Sequence, residues 1–176
     1  MKNLSFSFVG ICLLLCPLFY SGCDEDEDKL PPITMEGRNT FGCLVNGELW
    51  LPKGRFGQAG AHAELNISND TVGIIIYADD NDRPSSIALS IYDKPTLKIE
   101  KSYDLSNSAY YGKYSEYVDD QAYFYEKVII GNLQLIKFDI QNRIIAGTFE
   151  FKVYNSVCKD TITITEGRFD IGDIMQ

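Results

Sequence analysis

The stretch from Phe41 to Leu51 reads FGCLVNGELWL and decides the fold class. Two apolar runs flank Asn46-Gly47, and both of these turn residues tolerate the positive φ angles that a two-residue hairpin requires. The stretch therefore predicts an antiparallel hairpin of two short strands, with Trp50 on the second.

Short apolar runs separated by turn residues continue to the end of the chain. Further strands are predicted over 71–77, 86–92, 97–105, 122–125, 133–140, 144–154, 161–165 and 168–171. Turn residues such as Ser68-Asn69-Asp70 and Glu166-Gly167 fall between them. Because no window carries a helical stripe, residues 33–176 are expected to form one all-β domain, either an antiparallel β-sandwich or an open β-barrel.

The charge of the chain excludes several functions. It has 176 residues, one His and a net charge of −9, and it carries no basic stripe. An acidic chain of this kind repels nucleic acid, so no nucleic-acid partner is expected. A single His also leaves little material for a His-rich zinc site or a pair of acid/base histidines.

The N-terminus has the pattern of a secretion signal. Lys2 precedes an apolar run over residues 4–19, which is short for a membrane span, and Ser21-Gly22-Cys23 follows. This ending resembles the bacterial lipobox, and the resemblance implies that residues 1–22 are removed and that Cys23 is acylated, for example with palmitate. The alternative is an ordinary signal peptide that is cut nearby and leaves Cys23 as a free thiol.

An acidic segment follows Cys23. Residues 24–28 are all Asp or Glu, and Pro31-Pro32 favours an extended chain. Residues 23–32 are therefore expected to form a lipidated tether, and the body at 33–176 keeps 14 basic and 20 acidic residues. An acidic run at this place resembles the surface-export signal of Bacteroidota lipoproteins. In many other Gram-negative bacteria, Asp directly after the lipidated Cys favours retention in the inner membrane.

Two cysteines remain in the body. Cys43 lies in the first predicted strand and Cys158 close to the last ones, and an oxidising envelope would allow them to form a disulfide. The alternative is two unpaired, hydrophobic thiols. Neither is expected to be a nucleophile, because His62 lies in a predicted Gly/Ala loop over 53–62 without a residue to orient it.

No motif indicates catalysis, a cofactor or a metal. The glycines of the loop over 53–62 do not match a phosphate-binding pattern, and Asp79-Asp80-Asn81-Asp82 departs from the EF-hand template at Pro84 and Ser90, which favours an acidic turn over a calcium site. A two-carboxylate hydrolase stays open as a third function, since nothing selects a pair among the acids. The chain is expected to be no enzyme.

Tyrosine is concentrated in one part of the sequence. Seven of the eleven Tyr residues lie between Tyr103 and Tyr125. Of these, Tyr110, Tyr111, Tyr114 and Tyr117 stand in a polar stretch, and they are the predicted ligand-binding residues, because an apolar ring with a polar tip suits exposed contact surfaces. The alternative is that they pack within the fold.

Both ends of the body resemble an uncharacterised family of Bacteroidota outer-membrane lipoproteins. The family carries N-G-x-x-W in a first hairpin, here Asn46 to Trp50. It closes with G-T-F-x-F followed by I-T-x-G-R-F-D, here Gly147 to Phe151 and Ile164 to Asp170. The resemblance implies a β fold, an envelope location and no catalytic residues. In the closing motif, Gly167 is expected to form a turn and Phe169 to pack, with Asp170 facing outward or paired.

These observations favour a lipid-anchored protein of the outer membrane, exposed at the cell surface. Its expected function is a non-catalytic module that binds a glycan or a protein. The alternative is a structural or accessory subunit of an outer-membrane complex, whose partner docks on the sheet.

Overall fold

The computed structural model describes residues 29–54, 60–172, 174 and 175. The predicted signal segment, Cys23 and residues 24–28 lie outside these residues. The described residues form eleven strands and no helix, and so they include no helix that could cross a membrane. The strands are β1 Thr40–Val45, β2 Glu48–Trp50, β3 Ala61–Ser68, β4 Thr71–Asp80, β5 Ser85–Asp93, β6 Ser102–Asp104, β7 Tyr111–Val118, β8 Gln121–Tyr125, β9 Lys127–Asp139, β10 Ile144–Asn155 and β11 Asp160–Ile171.

The strands form two sheets, each antiparallel throughout. One has the order β2-β1-β11-β10-β9-β6 and the other the order β3-β4-β5-β7-β8. Inward-facing side chains of both sheets form one apolar core, which contains Ile76, Leu89, Leu135 and Ile164 at no more than 1% exposure. The all-β prediction is confirmed, and of its two architectures the sandwich is the one observed.

The predicted first hairpin is confirmed. Asn46 and Gly47 have φ angles of 51° and 87°, as the turn requires. Asn46 also fixes the hairpin to β11, because its backbone N–H donates to the Thr163 carbonyl at 2.8 Å and its side-chain oxygen accepts the Thr163 N–H at 2.9 Å.

The closing motif has a packing role, but Gly167 forms no turn. β11 runs unbroken through Glu166 and Gly167, with a bulge where β10 passes from Phe149 to Phe151. Gly147 lies opposite Phe169, and Gly167 lies opposite Phe149. A Cβ at Gly167 would lie 2.5 Å from Phe149 Cε2, so the glycine leaves the space that the ring occupies.

An N-terminal strap, residues 29–39, lies against the outer face of the six-stranded sheet. Pro31 covers Gly42, where an added Cβ would lie 2.7 Å from the proline ring. Further along, Thr34 Oγ1 donates to Asp170 Oδ2 at 2.5 Å. Asp170 is 1% exposed, so its predicted outward or paired position is a buried pairing with the strap. The end of the predicted tether thus already packs on the domain.

Three local predictions are wrong. The strand predicted over 97–105 is only Ser102–Asp104. Leu97 and Leu105 are buried in the core but lie outside the strand. The predicted Gly/Ala loop ends at Gly60, and His62 belongs to β3. The sequence predicts no strand over the polar stretch around Tyr114, which is the regular strand β7; Tyr114 faces inward and is buried, whereas Lys113 and Ser115 face outward.

The predicted disulfide is also wrong, since Cys43 and Cys158 are both free. Cys43 is buried opposite Trp50, in the part of β1 that pairs near Thr165. Cys158 lies in the exposed turn between β10 and β11, beyond Asp160. The segment of β11 between these places spans about 16 Å at 3.3 Å a residue, whereas a disulfide requires Cα atoms within about 7 Å.

Candidate functional site

The solvent face of the five-stranded sheet carries a row of aromatic rings. Antiparallel register brings His62 of β3 beside Tyr77 of β4, and their rings stack with centroids 5.1 Å apart at 28°. On β7, Tyr111 occupies the same face, with Lys113 Nζ 5.2 Å from its ring centroid. We call this surface the aromatic face, and it comprises His62, Tyr77, Tyr92, Tyr111 and Phe124.

Small residues of β5 form the middle of the aromatic face. Ala88 lies between Tyr77 of β4 and Lys113 of β7. Ser90 lies between β4 and Tyr111 of β7. Ser86 and Ser115 share a hydrogen bond of 2.7 Å between their hydroxyls. Because strand β5 presents only small side chains outward here, the rings on β4 and β7 stand above it and approach each other across it.

Tyr111 is the centre of this arrangement. Burial raises the pKa of its phenol, the neighbouring Tyr77 raises it further, and a hydrogen bond from the Ser90 side opposes the rise. Tyr111 therefore stays protonated at neutral pH, with Tyr77 and Ser90 close to its hydroxyl. Phenol hydroxyls thus lie beside ring faces, which suits recognition of a ligand that is both flat and hydroxylated.

The rings at the margins are more exposed than those at the centre. Tyr92 is 40% exposed and packs edge-on against Tyr110, with centroids 5.4 Å apart. Phe124, on β8 at the sheet edge, is 55% exposed. Rings of the aromatic face therefore lie on every strand of this sheet from β3 to β8, and the part where they come close together is His62, Tyr77 and Tyr111.

The four predicted ligand-binding tyrosines do not lie together. Tyr111 is on the aromatic face. Tyr110 packs edge-on against Tyr92 of that face and against the fully buried Tyr103. Tyr117 is 58% exposed near the end of β7.

Tyr114 is in the core at 5% exposure, so its predicted surface role is wrong. It alternates with Lys113 and Ser115 along β7, and it faces inward toward Tyr125 of the neighbouring strand.

A concave feature apart from the aromatic face, the end cleft, lies where the two sheets separate. It has a volume of about 500 Å³ and combines apolar walls with carboxylate, guanidinium and phenol groups. Its main polar and aromatic residues are Glu48, Trp50, Arg83, Tyr114, Glu116 and Tyr117. Trp50 is fixed there by its indole N–H, which donates to Ser85 Oγ at 2.9 Å.

The acidic turn after β4 has a structural role. Asp80 is 2% exposed, and its carboxylate accepts the backbone N–H of Asp82 at 3.0 Å and pairs with Arg83 Nε at 3.1 Å. In the part of the chain that the structure describes, no group of three or more His, Cys, Asp or Glu residues is arranged to hold a metal ion.

His62 and Tyr77 are functional candidates that the sequence prediction missed. Tyr77 closes a run that was predicted as a strand, so its outward direction follows from alternation with Ile76. His62 begins a segment that alternates small apolar and polar residues, AHAELNIS, which is the signal of a half-buried strand. Their stacking depends on the register of β3 with β4, which neither run specifies.

No protein-family model matches this chain, and no curated protein or solved structure matches it either.

Proposed function

We propose that this chain is a lipid-anchored, non-catalytic binding module of the outer membrane, exposed at the cell surface, that binds a glycan on the aromatic face. The observation that carries the proposal is the stacked pair of His62 and Tyr77, with Tyr111 close to Tyr77 across β5, so that ring faces and phenol hydroxyls lie together. Sugar rings present apolar C–H faces and equatorial hydroxyls, and side chains such as Tyr offer both a matching ring face and a hydrogen-bonding tip.

The shape of the surface favours an extended glycan over a small molecule. The rings lie on a sheet face and span several strands, from His62 on β3 to Phe124 on β8. Small molecules are usually enclosed by concave pockets, whereas a sheet face offers repeated contacts along a chain. A polysaccharide segment of several sugar units fits this layout.

The position of the strap supports the same proposal. Residues 29–39 pack on the six-stranded sheet, on the opposite side of the sandwich from the aromatic face. Five residues lie between Cys23 and Lys29, and the six Cα–Cα steps span about 20 Å at full extension. An acylated Cys23 would thus hold the strap side near the bilayer and leave the aromatic face accessible.

The test is binding to a panel of polysaccharides, measured by calorimetry, for the wild-type chain and for Tyr77→Ala and Tyr111→Ala. We expect each substitution to weaken binding about tenfold, since an aromatic contact contributes about 0.5–1.5 kcal/mol beyond its buried area. Tyr154→Ala is the matched control, because Tyr154 is a partly exposed tyrosine on the other sheet. Wild-type protein that binds no polysaccharide of the panel, or variants that bind as tightly as the wild type, would refute the proposal.

A second candidate function, an accessory subunit of an envelope complex, is favoured by a different surface. Ile129 and Ile130 are 50% and 69% exposed at the start of β9, in a part of this strand that lies outside its pairing with β6. Apolar residues clustered at a sheet edge are typical of protein contacts. Cross-linking in intact cells through a photoreactive residue at Ile130 would capture one partner if this function is correct, and would capture none if it is not.

A further inference from the structure

Glu116 lies on the inner face of the five-stranded sheet, at the mouth of the sandwich. β7 directs Tyr114 and Glu116 to the same side, two residues apart. Tyr114 Oη donates to Glu116 Oε2 at 3.0 Å, and Tyr125 Oη donates to Oε1 at 3.4 Å. Glu116 is partly exposed here, and the two phenols donate charge-assisted hydrogen bonds to its carboxylate.

Glu116 has no cationic partner among the residues that the structure describes. Arg83 also lines the end cleft, but its guanidinium is already paired with the buried Asp80. Glu48 adds a second carboxylate to the same lining. The end cleft therefore carries a net negative charge.

Two cavities meet at Glu116. One is the end cleft, and the other is a cavity of about 500 Å³ on the side of Cys158. Glu116 and Val118 line both of them. The carboxylate is thus reached from two sides, and a ligand in the end cleft would contact it without any movement of the strands.

The chemistry of the end cleft selects a cation. A carboxylate offers about four acceptor sites, of which the two phenols use two, so Glu116 can accept further N–H donors. Burial, followed by the charge of Glu116, raises the pKa of Tyr114, which keeps this phenol a donor at neutral pH. The rings of Trp50 and Tyr117 also line the end cleft, and aromatic rings attract ammonium groups.

The remaining walls are apolar, and they include Val45, Leu49, Pro84 and Ile162. We propose that the end cleft binds a ligand with a primary ammonium group on an apolar body, with the ammonium on Glu116 and the body against these walls. The site is separate from the aromatic face, and the proposal does not depend on glycan binding.

Trp50 provides a direct measurement, because it is the single tryptophan of the chain and it lines the end cleft. The full chain is titrated with phenethylamine and, separately, with 2-phenylethanol, which has a hydroxyl in place of the ammonium group. We expect a saturable change of Trp50 fluorescence with the amine, and binding of the alcohol at least about tenfold weaker, the factor typical of a charged hydrogen bond.

Two variants locate the ammonium group. Glu116→Gln keeps the shape and removes the charge, and it should weaken amine binding about tenfold while binding of the alcohol stays unchanged. Glu126→Gln is the matched control, because Glu126 is an exposed carboxylate that pairs with Lys113 outside the end cleft, and it should bind the amine as the wild type does.

If Glu116→Gln does not fold, amide NMR of the wild-type chain decides the question. The Trp50 indole N–H and the amides of β7 around Glu116 should then shift with the amine and not with the alcohol. The proposal is overturned if amine and alcohol bind equally, if neither produces a saturable change, if folded Glu116→Gln binds the amine as the wild type does, or if the shifts lie elsewhere.

Discussion

The backbone N–H of Gly37 donates to Oδ1 of Asp170 at 2.7 Å, and this bond joins the two ends of the described chain across 133 residues. The other oxygen of Asp170 accepts from Thr34 and from the backbone of Glu36. Burial alone would raise the pKa of Asp170, but these hydrogen bonds outweigh it and hold the pKa below its ordinary value. One carboxylate thus fastens the strap to the last strand.

Asp170→Asn should destabilise the domain by about 2–3 kcal/mol, because the amide replaces charge-assisted hydrogen bonds with neutral ones and brings a buried N–H₂ group without an acceptor. Urea unfolding at neutral pH measures the change. Asp120→Asn is the control, since Asp120 is an exposed turn residue with a positive φ that Asn tolerates. Equal stability of Asp170→Asn and the wild type would contradict a fastening role.

The same contact predicts an acid dependence. Since the pKa of Asp170 is lowered on folding, its contribution is fully present above the unfolded pKa of about 4 and is lost as pH falls through the folded value. The wild-type free energy of unfolding should therefore decrease below about pH 4 more steeply than that of Asp170→Asn. Parallel curves for the two proteins in this range would show that Asp170 titrates alike in both states.

Gly167→Ala should destabilise the domain by about 1–3 kcal/mol, because the new methyl group would lie within 2.5 Å of the Phe149 ring and the core must shift to admit it. Phe149→Leu should cost less in the Gly167→Ala background than in the wild type, since the smaller side chain vacates that space. A double-mutant cycle by urea unfolding gives the coupling. Additive effects would mean that the backbone moves instead of the ring.

The turn at Asn46-Gly47 and the alternation of β4, β5 and β10 are predictable from the sequence, because each depends on neighbouring residues. The burial of Tyr114 is not predictable in the same way. Alternation along β7 separates Tyr114 from Lys113 and Ser115, but only the pairing of β7 with β5 and β8 decides which set faces the core. The sequence pattern therefore predicts neither the strand β7 nor the inward direction of Tyr114 on it.

The role of Asp170 depends on longer-range contacts still. Its side chain faces outward from β11, as the sequence pattern suggests, and it is buried only because the strap covers it. Likewise, glycine is typical of turns, but at position 167 the absence of a side chain leaves space for the ring of Phe149 on the neighbouring strand. The local sequence does not specify which segment will pack beside a residue, so sequence reasoning assigns such residues to turns and surfaces.

The two body cysteines should differ strongly in reactivity. Burial raises the pKa of Cys43 to about 12, so its thiol is protonated and shielded at pH 8, whereas Cys158 is exposed in a turn. We expect a thiol reagent to modify Cys158 of the folded domain and to reach Cys43 only after denaturation. Mass spectrometry of labelled peptides measures this, and Cys158→Ser should label only when unfolded. Fast labelling of Cys43 under native conditions would show that β1 opens.

Alkaline pH should destabilise the protein through Tyr114. Burial and then the neighbouring Glu116 raise the pKa of its phenol on folding, so the folded state favours the protonated form. That contribution is complete below the unfolded pKa of about 10 and is lost as pH rises through the folded value. Tyr114→Phe cannot ionise at this position. It should be less stable than the wild type by about 1 kcal/mol at neutral pH, because the hydrogen bond to Glu116 is lost, and this difference should shrink above pH 10. Urea unfolding across this pH range measures both, and a difference that stays constant would show that Tyr114 ionises as readily in the folded chain as in the unfolded one.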